Sequence, residues 1–164
     1  MTTLLLSLPL LLGFFHTGNA QQNIDGLLKK YNNHSIPYIS VEMLKMNQDN
    51  YVLLDTRKKE EYAVSHLADA IWVGEDMDDA LIASLNLQSD QSIVVYCTVG
   101  IRSEKYGIQL KDLGYTHVNN LYGSIFAWKD AGFPVFDANN HTTEQVHVYS
   151  KMWGKYLKNG KKIY

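Results

Sequence analysis

Ser92-Ile93-Val94-Val95-Tyr96 runs without a charge into Cys97, and the chain then turns through Thr98-Val99-Gly100-Ile101-Arg102-Ser103. An uninterrupted apolar run of this length reads as a strand buried on both faces, followed by a tight loop and a helix start. Such a strand belongs in the middle of a parallel sheet with helices on either side. The rest of the chain supplies the neighbours. Ser40 is suited to cap a short helix through about Met46, residues 51–54 read as a strand ending at Asp55, and residues 57–65 read as helix. Residues 70–73 form a second short strand, and Asp76-Met77-Asp78-Asp79 opens a helix whose early acids suit the positive end of its dipole. Beyond the loop, Tyr106, Leu110 and Leu113 fall at helical spacing and Gly114 ends that helix. Residues 117–121 are extended, and residues 124–130 form a last core helix. This alternation predicts an α/β domain with a mostly parallel central sheet of about five strands and helices on both faces. Its ligand site lies at the carboxyl ends of the strands, where the loop after Tyr96 emerges.

Cys97 is the only cysteine of the 164 residues. In a strand-to-helix loop its sulfur faces backbone N–H groups and a helix N-terminus, both of which favour thiolate over thiol. Cys97 is therefore a candidate nucleophile, although a lone cysteine closing an apolar strand also has the form of an inert core residue. Arg102 adds a fixed positive charge and a planar fork of donors suited to an oxyanion above the sulfur. A solitary thiol has no resolving partner, so a modified Cys97 is discharged only by another molecule.

Four segments sharpen this reading. They are Leu53-Leu54-Asp55-Thr56-Arg57; Glu61-Tyr62-Ala63-Val64-Ser65-His66-Leu67-Ala68-Asp69-Ala70; the loop 97–103; and Leu121-Tyr122-Gly123-Ser124-Ile125-Phe126-Ala127-Trp128 with Ala131-Gly132-Phe133-Pro134-Val135. In this order, over residues 39–136, they resemble a single rhodanese domain. The resemblance implies a rhodanese-like fold in which Cys97 takes a sulfane sulfur from a thiosulfate, persulfide or polysulfide donor and passes it to a thiophilic acceptor. It further implies that Thr98, Val99, Gly100, Ile101, Arg102 and Ser103 hold the persulfide. Asp55, Arg57, Glu61 and His66 then shape the domain around the loop, with Arg57 expected to pair with a carboxylate such as Glu61. No metal or other cofactor is implied, and His34, His117, His141 and His147 lack dense ligand spacing. Ser65, Asp69 and Ser124 stand where the usual pattern carries glycine, so Ser65 and Asp69 must adopt a left-handed conformation or the turns must differ.

Four residues separate Cys97 from Arg102, one fewer than in the phosphatases and arsenate reductases that resemble this family. The shorter loop suits a sulfur atom better than a tetrahedral oxyanion, which places sulfur transfer ahead of phosphatase or arsenate reductase chemistry. Thr98, Val99 and Ile101 carry no charge, so a donor less anionic than thiosulfate fits the loop at least as well. A redox- or persulfide-sensing module, or a partner-binding module without turnover, is the alternative of a different kind.

Two flanking regions complete the organisation. Residues 4–15 are an apolar stretch followed by Gly18-Asn19-Ala20, the pattern of a signal peptide over residues 1–20 with cleavage after Ala20. This predicts a protein exported to the periplasm or secreted, with an uncleaved anchor as the other form, and leaves residues 21–38 as a lead-in. Residues 137–164 extend beyond the family core. Val146, Tyr149, Met152, Trp153, Tyr156 and Leu157 fall at helical spacing, and five lysines with no acid follow from Lys151 onward. They predict an amphipathic basic helix packed on the domain, with contact to a membrane surface or protein partner as the alternative. The acidic remainder and the export pattern argue against nucleic acid. The expected working form is a monomer served by a small-molecule or protein sulfur donor and acceptor.

Overall fold

The computed structural model describes residues 18–164, with side chains from Ile24 onward. The apolar stretch of residues 4–15 lies outside these, and the cleavage point after Ala20 falls within the first helix, α1 (Gly18–Tyr31). Five parallel strands form the central sheet in the order β1 (Tyr38–Ile39), β5 (His117–Leu121), β4 (Ser92–Tyr96), β2 (Val52–Asp55), β3 (Ile71–Trp72). Between them run α2 (Val41–Met46), α3 (Lys59–Val64), α4 (Asp79–Ser84) and α5 (Arg102–Asp112), and α6 (Ser124–Asp130) follows β5. Ser40 caps α2 by accepting from the Met43 amide, and Asp78 caps α4 in the same way.

β4 shows why its sequence is continuously apolar. Side chains of a strand alternate between the two faces of the sheet. Val94 and Tyr96 enter one core with Leu53, Leu121, Phe126 and Trp128, while Ile93 and Val95 enter the other with Leu54, Ile82, Tyr106 and Leu110. Both faces are covered, so neither set can be polar. Each such side chain contributes about 1.5–3 kcal/mol of burial free energy.

Of the positions replacing glycine, Asp69 is left-handed at φ 56° and Ser124 at φ 51°. Ser65 is instead extended, with φ −167°, because α3 has ended and the chain is drawn straight into a bridge. In that bridge His66 and Phe136 exchange two backbone hydrogen bonds of 2.9 Å.

The long C-terminal helix expected from residues 146–157 does not form. The chain makes β6 (Val135–Phe136), β7 (Thr142–Thr143), β8 (Gln145–His147), a single helical turn α7 (Lys151–Gly154), and β9 (Lys161–Ile163). β6 pairs antiparallel with β7, and β8 parallel with β9. Of the apolar residues that suggested a helix, Val146 and Leu157 are buried, and with Val148 they join the core that holds Phe126 and Trp128. Tyr149, at φ 62°, breaks any helix through the segment. α6 fastens this extension, since the Asp130 carboxylate accepts from the Lys158 and Asn159 amides at 2.9 and 2.8 Å, and Lys129 pairs with Glu144 at 2.9 Å.

Candidate active site

At the carboxyl end of β4 the chain leaves the sheet at Cys97, which is only 1% exposed. The amide of Gly100 turns back onto Sγ at 3.2 Å. Gly100 sits at φ 106°, a conformation open to glycine, and a Cβ there would lie 3.3 Å from Leu28 Cδ2. The Gly100 carbonyl accepts two side-chain amides, from Asn32 and Asn120, each at 2.8 Å. These bonds fix the Gly100 carbonyl, on the other side of its Cα from the N–H that reaches the sulfur. The Ser103 hydroxyl lies 3.6 Å from Sγ but has one proton to give, and Asn120 Oδ1 at 2.7 Å is its nearer acceptor. Burial pushes the Cys97 thiol up, but the Arg102 charge and the Ser103 and Gly100 amides outweigh it. The thiol is held below its ordinary value of 9.0. The loop thus favours the thiolate over the thiol.

Arg102 departs from expectation. Its fork is closed by Glu61, with Nη1 and Nη2 each donating to one carboxylate oxygen at 2.8 Å. Nη1 also donates to Glu75 at 3.1 Å, and Nη2 to the Thr98 hydroxyl at 2.7 Å. Thr98 donates in turn to Glu61 at 2.8 Å, and the Lys58 amide caps the other oxygen. Burial raises the Glu61 carboxyl, yet the Arg102 bonds carry it below its ordinary 4.5. Arg102 therefore acts on the sulfur as a charge held to one side, with no free fork for a bound oxyanion.

Arg57 does not pair with Glu61. Its Nε and Nη2 grip Asp55 at 2.6–3.1 Å, and its own amide donates to the same carboxylate at 3.0 Å. Both side chains are fully buried. Where the chain curls off β2, a carboxylate two residues back is nearer than one on the next helix, so the local partner wins. Nη2 also donates to the Ser65 carbonyl at 2.6 Å, tying the extended turn to the sheet. His66 sits apart from the loop, stacked on Tyr62 with ring centroids 4.1 Å apart.

A cavity of about 160 Å³ opens above Cys97, lined by Thr98, Val99, Ile101, Arg102, Tyr149 and Trp153. The last two come from the C-terminal extension. They were read only as positions of an amphipathic helix, and no local pattern placed them at the site. Asn32, Asn120, Glu104 and Ser124 were likewise missed as supports of the loop. Glu104 holds the end of α1 by accepting from the Asn33 and Ser35 amides and from the Tyr38 hydroxyl. Ser124 Oγ accepts the Cys97 amide at 3.0 Å.

The comparisons agree with this architecture. The rhodanese-like domain family model matches residues 41–131. A tRNA uridine(34) hydroxylase of Leptospira interrogans is 32% identical over 116 residues, covering 68% of this chain and 29% of that protein. Protein HIGH ARSENIC CONTENT 1, mitochondrial, of Arabidopsis thaliana is 31% identical over 90 residues, covering 49% of this chain and 53% of that protein. The chain thus spans about half or less of the length of these curated relatives. Among solved structures, the rhodanese-like domain of the Anabaena Alr3790 protein superposes with a TM-score of 0.56 at 26% identity, covering 62% of this chain and 79% of that one. Thiosulfate sulfurtransferase of Pseudomonas aeruginosa superposes with a TM-score of 0.59 at 20% identity, covering 75% of this chain and 23% of that one, a likeness of fold. With the family match spanning most of the α/β core and the Cys97 loop, the chain belongs to the rhodanese-like domain family.

Proposed function

We propose that the protein is a sulfurtransferase that carries a sulfane sulfur as a persulfide on Cys97. The observation that carries this reading is the Gly100 amide at 3.2 Å from a buried Sγ whose acidity is enhanced. The Cys97 thiolate attacks the outer sulfur of a thiosulfate, persulfide or polysulfide donor. The Sγ–sulfur bond forms, the bond from that sulfur to the rest of the donor breaks, and the electron pair leaves with the departing anion. The Gly100 and Ser103 amides then face a persulfide anion, and a thiophilic acceptor removes its outer sulfur to restore the thiolate. The closed fork of Arg102 argues against phosphatase or arsenate reductase chemistry, because a tetrahedral oxyanion would have to displace Glu61. The apolar stretch of residues 4–15 supports an exported location, and with it an acceptor outside the cytosol.

Intact mass spectrometry after exposure to thiosulfate and to polysulfide tests the proposal. The expected result is one added sulfur on the wild type and none on Cys97→Ser; a wild type left unmodified by both donors overturns it. The pH dependence follows from the depressed thiol. Loading is full above the Cys97 pKa and falls as acidification protonates the sulfur, with a midpoint below that of an ordinary thiol. Arg102→Gln removes the nearby charge and moves the midpoint upward, which the same assay across pH reads directly.

A further inference from the structure

The outer wall of the site lies beyond the family match, which ends at residue 131. Tyr149 and Trp153 form it, and the segment that carries them is pinned at both ends by buried Val148 and Leu157. Tyr149 is held at φ 62°, a conformation unfavourable for a bulky side chain, with its amide donated to His147 Nδ1 at 3.1 Å. Its ring centroid lies 4.8 Å from the Arg102 guanidinium carbon and 5.6 Å from Lys58 Nζ. Trp153 packs against the main core and lines the same cavity.

Charge and shape at this opening point the same way. Arg102 is matched by two carboxylates, Glu61 and Glu75, and Glu75 in turn lies 3.7 Å from Lys58. These four charges sum to zero, so a dianion finds no uncompensated cation. Val99, Ile101, Tyr149 and Trp153 present hydrocarbon, and 160 Å³ is close to the volume of about 150 Å³ in which an apolar cavity accepts a benzene ring.

We infer that the C-terminal segment makes this site selective for sulfane donors that carry an apolar aryl or short alkyl group and at most one negative charge, over the inorganic dianion thiosulfate. This deepens the sulfur-transfer reading and rests on it. With an aryl thiosulfonate, the Cys97 thiolate bonds to the outer sulfur, the sulfur–sulfonyl bond breaks, and the pair leaves as aryl sulfinate. One negative charge remains on the persulfide and one on the sulfinate, equal to the two that entered. Tyr149 and Trp153 flank the aryl group and set the preference.

The test compares kcat/KM for benzenethiosulfonate and thiosulfate, with cyanide as acceptor. The wild type is expected to favour the aryl donor by roughly tenfold or more, the discrimination available to an apolar pocket. Tyr149→Asn suits the left-handed backbone while removing the ring, and brings the ratio down roughly tenfold; Tyr149→Phe keeps the preference. Binding of benzenesulfinate to Cys97→Ser, followed by tryptophan fluorescence, reads the wall without turnover and weakens when Tyr149→Asn is added. Sulfur loading that proceeds equally from both donors, with no sulfinate binding, overturns the inference alone. Sulfinate binding that depends on Tyr149, with no sulfur loading from any donor, overturns the transfer reading and leaves the apolar wall standing.

Discussion

Beneath the sulfur, Gly100 is clamped by Asn32 at the end of α1 and Asn120 on β5, and all three residues are buried. Above it, Tyr149 is 43% exposed and reaches Arg102 through a ring face. The cradle joins residues 68 positions apart, Asn32 and Gly100, by a directional bond, whereas the wall is a short appended segment resting on the finished core. Precision is thus invested where charge is controlled, and tolerance where the donor is received. Substitutions under the sulfur should cost fold and chemistry together, and substitutions in the wall should alter selection with little loss of stability.

The largest expected effect lies under the cradle. Asp55 adjoins Tyr96 in the sheet, and its removal leaves the fully buried Arg57 without its charge partner. Breaking a buried pair from one side costs about 3–5 kcal/mol, so Asp55→Ala should lower the urea midpoint far more than Tyr149→Asn does. Equal losses from the two variants would break the contrast. Next comes Gly100→Ala. Its Cβ cannot adopt φ 106° without strain and meets Leu28, so the amide moves off the sulfur. Displacing one preorganised donor typically costs on the order of 10²-fold in rate. Stopped-flow sulfur loading should fall by that order, and an unchanged rate would mean that the Gly100 amide does not stabilise the anion.

The same contrast explains what the sequence disclosed. β4 and α5 were legible because a continuous apolar run and 3.6-residue spacing act within a few residues, and Cys97 stood out at a strand end. The partner of Arg57 was misread because the resemblance ranks carboxylates by motif, while the fold ranks them by distance around a tight curl. Arg102 was misread for a related reason: a free fork and a clamped one look alike until α3 is placed beside the loop. In the C-terminal segment, Val146, Tyr149, Trp153 and Leu157 matched a helix in spacing alone. Val146 and Leu157 instead join the core with Phe126 and Trp128, while Tyr149 and Trp153 line the cavity above Cys97, an arrangement no local pattern encodes. Ser124 did leave a trace, since a hydroxyl stood where the family pattern carries glycine.

Ser124 also yields the finest comparison. At φ 51° and fully buried, it occupies a conformation that costs an L-residue about 1–2 kcal/mol. Its Oγ accepts the Cys97 amide at 3.0 Å, which offsets part of that strain. Ser124→Ala keeps the strain and leaves the Cys97 N–H without its acceptor, whereas Ser124→Gly loses the same bond and releases the strain. The alanine variant should therefore be less stable than the glycine variant by about 1 kcal/mol in urea unfolding. Both should fall below the wild type if a buried N–H without an acceptor costs about 1–3 kcal/mol. If alanine and glycine prove equal to each other and to serine, the backbone beneath Cys97 yields freely, and the cradle is no more rigid than the wall above it.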